Sequence, residues 1–386
     1  MNREEKKLQF RTWAYGLFIH YGVYSVHGLG EWLMSKERMS EQDYFSALKD
    51  FHPEPGMARR WVELARDCGM KYVVLTTRHH DGHFIGHELV AEYCRACREL
   101  GLGVGLYYSV MNWCDPNYRK GPGTPEWKVF VERTHRQIRE LMTDYGPIDY
   151  LFYDGCPPPE TWEVENLHAE IRQLQPGLLV SRCRVDVDVF SCEQHSGGAA
   201  GKLWESCYTL NDSWGYNAFD ANWKTPTQVV ELLTTLAHNN GNLLLNVGPR
   251  ADGTLQPEAL ATLKAVGDWL RVNGEAVYGA QPHPFNYFDR EISTAKGNTV
   301  YIRLFDEHRR RERKICGIGN RVERISLLAT GEAFDFKQEG DRITLCGLPP
   351  KRDDELPRVL KLELDGVPRG VRNPMFPDCD IRVTGD

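Results

Sequence analysis

The chain has 386 residues, of which 41% are hydrophobic and 26% charged, with a formal net charge of −7. That length exceeds one ordinary core, so one large domain plus one small one is expected, in a soluble globular protein. The acidic balance excludes an evident nucleic-acid partner, because phosphate binding needs concentrated Lys and Arg.

The N-terminal stretch "MNREEKKLQF" is charged and has no apolar h-region, which predicts no signal peptide and a cytoplasmic location. Strand-like runs, nearly continuous in apolar residues, then recur along the chain. They are "YGLFIHYG" (15–22), "KYVVLTT" (71–77), "VGLYYSV" (104–110), "DYLFYDG" (149–155), "GLLVSRC" (177–183), "KLWESCYT" (202–209) and "NLLLNVG" (242–248). Such continuity suits strands covered on both faces. Between them, stretches such as "HELVAEYCRACRELG" (87–101), "WKVFVERTHRQIRELMTDYG" (127–146) and "PTQVVELLTTLAHNNG" (226–241) have helical spacing, and several end in Gly, a helix stop.

Repeated strand–helix units predict a (β/α)8 TIM-like barrel over residues 1–279. A doubly wound sheet is the alternative, but no G-x-G-x-x-G follows the first strand. From 280 to 386 the pattern changes to short alternating strands, "TVYIRLFD", "RISLLAT", "DRITLCGLP" and "RVLKLELDG", which predict a small antiparallel β-sandwich. No segment approaches the roughly 20 apolar residues of a membrane span. The run "RRRERK" (309–314) reads as a solvated loop. The 11 scattered cysteines read as reduced thiols, and Cys94 and Cys97 of "CRAC" as buried helix residues with no second pair to make a zinc site. A homo-oligomer is allowed but not specified.

A barrel carries its chemistry at the C-terminal ends of its strands. Those ends supply His20, His79, His80, Tyr107, Tyr108, Asp154, Arg182, Glu205 and Asn246. Polar groups at nearly every strand end, within otherwise apolar runs, outline a pocket. One reading is a barrel metallohydrolase using His79, His80 and Asp154, with His20 added. Adjacent strand residues point to opposite faces, so His79 and His80 would share an ion only if the strand had ended, and the H-x-H spacing is missing. The other reading is a glycosidase, which needs two carboxylates about an oxocarbenium-like transition state. Asp154, held rigidly at a strand end, suits the nucleophile.

Taken in order, "YGLFIHYGVYS", "EWLM", "KYVVLTTRHHDG", "LYYSVMNW", "YGPIDYLFYDG", "WESCYTLNDSWGYN" and "GNLLLNVGPRADGTL" resemble the α-L-fucosidases of glycoside hydrolase family 29. The resemblance runs from about residue 12 to 278 and extends to the C-terminal sandwich only in type. It implies a retaining exo-α-L-fucosidase acting on α-L-fucosylated glycans without a cofactor or metal. It implies that Asp154 is the nucleophile and that His20, Glu31, Trp32, His79, His80, Tyr107 and Arg182 contact the sugar. The acid/base falls in "DVFSCEQH", read as a loop after the fifth strand, which gives Glu193. Glu205 is its rival, or else a strand-end residue that orients Arg182 or a tyrosine. Asp81 and Gly82 are expected to shape the turn after the second strand, and His83 has no assigned role.

Two departures stand out. The aromatic and acidic loop that follows "HHDG" in the family is shortened here, so that "HHDGHFIGHELVAEYC" runs almost directly into a helix. The family's frequent Trp two residues before the nucleophile is Phe152. A degenerate, non-catalytic fucose-binding member is therefore the second reading that the sequence leaves open.

Overall fold

The computed structural model describes residues 1–198, 201–282, 292–304, 312–352 and 355–371. Eight parallel strands form the barrel: β1 (Tyr15–Ile19), β2 (Tyr72–Arg78), β3 (Gly103–Ser109), β4 (Tyr150–Asp154), β5 (Leu179–Ser181), β6 (Phe190–Glu193), β7 (Trp204–Thr209) and β8 (Gly241–Val247). Their order is β5-β4-β3-β2-β1-β8-β7-β6, and a parallel bridge between Ser181 and Val189 joins β5 to β6. The β/α barrel and the antiparallel C-terminal sheets are those that the sequence predicts. β1, β2, β3, β7 and β8 are buried along their whole length, as strands enclosed by side chains within and helices outside must be.

The helices begin where capping chemistry places them. Thr225 accepts from the Gln228 backbone N–H while the Gln228 side chain answers the Thr225 N–H, starting the helix Pro226–His238. Thr124 caps Pro125–Thr143 in the same sense. The helix Arg3–Trp13, with Asn2 as its cap, lies outside the predicted set, and its Phe10 and Trp13 pack on Tyr72.

The eighth strand is the main topological difference from the sequence reading. "DVFSCEQH" is not all loop: Phe190–Glu193 is β6, and its residues are exposed or half-buried rather than apolar and buried. No helix separates it from β5. The chain instead reverses through Arg182, Arg184 and Asp186, all with positive φ. Conformations that uncommon outside glycine need fixing by their surroundings. Arg172 and Arg3 each bond both Asp186 and Asp188, and Asp188 also accepts the Val180 N–H at 3.1 Å. This network pins the reversal that carries Arg182.

At the C-terminal end β9 (Gln281–Pro282), β10 (Ile292–Lys296), β11 (Thr299–Arg303), β13 (Val322–Leu327) and β16 (Val359–Leu364) make one antiparallel sheet. β12 (Glu312–Ile315), β14 (Phe336–Glu339) and β15 (Arg342–Cys346) make another. Val300, Ile302, Ile325, Leu360 and Leu362 of the first sheet share a core with Ile315, Ile343 and Leu345 of the second, which makes the pair a sandwich. The "RRRERK" run is divided: Arg309–Arg311 lie outside the described residues, whereas Glu312–Lys314 belong to β12 and not to a loop. Cys94 and Cys97 are free thiols buried in the helix His87–Glu99. Among the described residues no helix is long and apolar enough to cross a membrane.

Candidate active site

Asp154 is the last residue of β4, with its carboxylate at the C-terminal mouth of the barrel. The Tyr107 hydroxyl donates to Oδ2 at 2.9 Å and the Gly155 backbone N–H donates to Oδ1 at 2.9 Å. Arg182 approaches Oδ1 through Nη2 at 3.3 Å. The same Nη2 bonds Oε2 of Glu193 at 3.2 Å, as does Nη1. Because both carboxylates lie on one nitrogen, the separation of those two oxygens cannot exceed the sum of the two bond lengths. Burial opposes the charge on Arg182, but Asp154 and Glu193 more than restore it and raise its pKa.

Three histidines face this group. Strand β2 ends at Arg78, so the period-two argument that separates His79 from His80 no longer applies, and their ring centroids lie 4.2 Å apart. The turn is made by Asp81, which accepts the His83 N–H at 3.0 Å, and by Gly82 at φ +79°. A Cβ on Gly82 would sit 2.2 Å from Asn112 Oδ1, so glycine is required twice over. Asp81 and Gly82 thus build the turn as expected. His83 itself points away from the pocket, against Phe45 and Phe51.

His80 places Nε2 at 3.6 Å from Asp154 Oδ2 and Nδ1 at 2.7 Å from Ser109 Oγ. His79 stacks on Tyr107 with an interplanar angle of 8°. His20, just beyond β1, meets Asn246 Oδ1 at 2.6 Å and lies beside Trp214. Burial lowers the pKa of all three; His20 falls to about 3 despite the Asn246 hydrogen bond that opposes the shift. At neutral pH they are uncharged rings, each with one donor and one acceptor. Among the described residues no group of three or more His, Cys, Asp or Glu is placed to hold a metal.

Glu31 is buried and accepts the Gly215 N–H at 2.7 Å; burial raises its pKa. Trp32 lies edge-on to His80 and beside Trp113, forming a partly exposed aromatic wall. Phe152 keeps the apolar face expected of it, under the Arg182 guanidinium at 5.4 Å. Trp113 and Trp214 lie inside the quoted segments "LYYSVMNW" and "WESCYTLNDSWGYN", yet spacing alone gave them no role; only packing against His80 and His20 reveals them.

Two candidates belong elsewhere. Tyr108 points outward, with Arg78 over its ring and its hydroxyl donating to Gln137. Glu205 is not at a strand end: it is the second residue of β7, fully buried, and accepts from Tyr72 at 2.7 Å and Tyr150 at 2.5 Å. Tyr72 and Tyr150 open β2 and β4, so this carboxyl lies among residues that begin their strands, whereas Asp154 and Glu193 end theirs. Burial pushes its pKa up to about 7. It contacts tyrosines, as one of its expected roles has it.

A family model described as Alpha-L-fucosidase matches residues 1–275. The tissue alpha-L-fucosidase of Homo sapiens is 30% identical over 74% of this chain and 73% of its own. The alpha-L-fucosidase of Dictyostelium discoideum is 26% identical over 76% of each. The structure of alpha-L-fucosidase isoenzyme 1 from Paenibacillus thiaminolyticus is similar with a TM-score of 0.86 and 31% identity, covering 94% of this chain and 99% of that one. With the family model covering the whole barrel and a relative of this similarity along nearly its full length, the chain belongs to the α-L-fucosidases of glycoside hydrolase family 29.

Proposed function

We propose that the protein is a retaining exo-α-L-fucosidase that removes terminal α-L-fucosyl residues from glycans or glycoconjugates, with Asp154 as nucleophile and Glu193 as acid/base. The observation that carries this reading is the shared Arg182 nitrogen. Its two bond lengths cap the separation of Asp154 Oδ1 and Glu193 Oε2. That ceiling suits the roughly 5–5.5 Å of retaining glycosidases and leaves little room for the interposed water of inverting ones, at about 6.5–9.5 Å.

In the first step Asp154 attacks the anomeric carbon while Glu193 gives its proton to the departing glycosidic oxygen, leaving a fucosyl ester on Asp154. In the second, Glu193 takes a proton from water, which attacks the same carbon and releases fucose with its configuration retained. Tyr107, Gly155 and Arg182 hold the nucleophile in one orientation, so little reorganisation accompanies attack. His20, His79, His80 and Glu31 supply donors and acceptors for the ring hydroxyls, and Trp32 with Trp113 walls the pocket. Such buried partners reject sugars that leave them unpaired. Two carboxylates suffice for this chemistry, so the reaction needs no cofactor.

Comparison of an aryl α-L-fucoside with aryl galactosides tests the proposal. Hydrolysis should favour the fucoside strongly. Tight fucose binding without turnover would instead support the degenerate, fucose-binding reading.

A further inference from the structure

The hydrogen-bond partners of His80 and His20 fix which ring nitrogen carries the proton, by two independent devices. At His80, Nδ1 is paired with Ser109 Oγ at 2.7 Å. A serine hydroxyl has one hydrogen, and Ser109 gives it to the Met111 carbonyl oxygen at 2.8 Å, which can only accept. Ser109 Oγ is thereby left as the acceptor, and the hydrogen between it and His80 belongs to Nδ1. At His20, Nδ1 is paired with Asn246 Oδ1 at 2.6 Å. The Asn246 amide nitrogen donates to the Trp214 carbonyl oxygen at 2.7 Å, and reversing the amide would set two acceptor oxygens against each other. The hydrogen again belongs to Nδ1. Among the described residues no protein hydrogen-bond donor reaches either Nε2; His80 Nε2 lies 3.6 Å from Asp154 Oδ2, itself an acceptor.

We propose that Ser109 and Asn246 are positioning residues that hold His80 and His20 as Nδ1–H tautomers, so that the pocket presents two bare Nε2 acceptors and selects a sugar whose two facing hydroxyls both donate. The identity of the sugar rests on the fucosidase reading; the tautomers rest only on the hydrogen-bond geometry. Neither positioning residue touches the reacting atoms. Each acts through a histidine, by removing one of its two neutral forms.

The test is a long-range 1H–15N correlation spectrum of the full chain labelled with 15N-histidine at neutral pH, with His20→Gln and His80→Gln used to assign the two rings. Both rings should show a protonated Nδ1 and an unprotonated Nε2. A protonated Nε2 on either neutral ring overturns the assignment. Ser109→Ala should release His80 to the Nε2–H form, which turns a donor toward Asp154, and should weaken fucose inhibition on the order of tenfold, the size of one hydrogen bond. Ser109→Thr should restore both the tautomer and the inhibition. An alanine variant that keeps Nδ1–H on His80 and inhibits as the parent does removes Ser109 from the proposal. Both rings as Nδ1–H in a protein that hydrolyses no fucoside would uphold the tautomers and overturn the fucosidase reading; fucoside hydrolysis with Nε2–H rings would do the reverse.

Discussion

Tyr107 donates its hydroxyl hydrogen to Oδ2 of Asp154 across 2.9 Å, and the donor is locked in its charge state because burial, with the Asp154 charge adding to it, raises the phenol pKa well above its ordinary value. Tyr107→Phe keeps the ring against His79 and Phe152 and removes only the hydroxyl. A charge-assisted bond contributes about 1.5–3 kcal/mol, so kcat/KM for an aryl α-L-fucoside should fall by roughly ten- to a hundredfold. Thermal melting should show a variant folded like its parent. Parental kinetics would mean that the hydroxyl does not serve the reacting carboxylate.

Asp154→Gly should abolish hydrolysis of ordinary substrates, since no fucosyl ester can form. Glu193→Ala should behave differently: a fucoside with a very good leaving group still reaches the ester, and azide then attacks in place of activated water. The expected product is the α-fucosyl azide, identified by NMR. Azide rescue of Glu205→Ala with none for Glu193→Ala would transfer the acid/base role to Glu205. A β-azide from the Glu193 variant would overturn retention itself.

Glu205 gives a stability signature distinct from catalysis. Burial pushes its folded-state pKa up from an ordinary 4.5 to about 7, with the Tyr72 and Tyr150 hydroxyls pulling the other way. Between those values the folded protein keeps a proton that the unfolded chain has lost, so stability falls as pH rises through that window. The full loss, by the pKa difference, is on the order of 3 kcal/mol. Glu205→Gln can still accept from one tyrosine and donate to the other, and it cannot ionise. Denaturant melts should therefore show the variant gaining on the parent from pH 5 to pH 8. Asp81, pushed up to about 6 by burial, is common to both proteins and cancels. A pH-independent difference would mean that the carboxyl ionises in the folded state as readily as in the unfolded one.

Prolonged dialysis against a strong chelator should leave the fucosidase rate unchanged, because both proton transfers and the nucleophile come from side chains. A loss of rate restored by zinc or manganese would assign the histidines to a metal instead of the sugar hydroxyls.

The segment after Gly82 leads within a few residues into the helix His87–Glu99, and Arg78 pairs with Phe84 on the way. With this connection so tight, the aromatic wall at the His80 side comes from Trp32 and Trp113.

The barrel and the antiparallel C-terminal sheets were legible in the residue pattern, as were several of the polar residues that gather at the barrel mouth. Repeated short apolar runs alternating with helical stretches read as enclosed strands, and Asp154 closing "YLFY" and His20 following "GLFI" lie at the barrel mouth as that reading places them. Where a strand starts relative to its neighbours became fixed only when the ladders paired. Glu205 pairs with Asn242, next to the first residue of β8, and so lies near the beginning of its ladder; the local run "KLWESCYT" looks the same whichever end the carboxyl occupies. β6 left no apolar signal because its residues are half exposed, and its pairing with β7, from Phe190 opposite Trp204 to Glu193 opposite Cys207, is what makes it a strand. The convergence of His79 and His80 and the meeting of Asp154 and Glu193 on one guanidinium were settled in the same way. Each depends on ladder register and on hydrogen-bond partners far away in the chain, and local residue pattern carries no record of either.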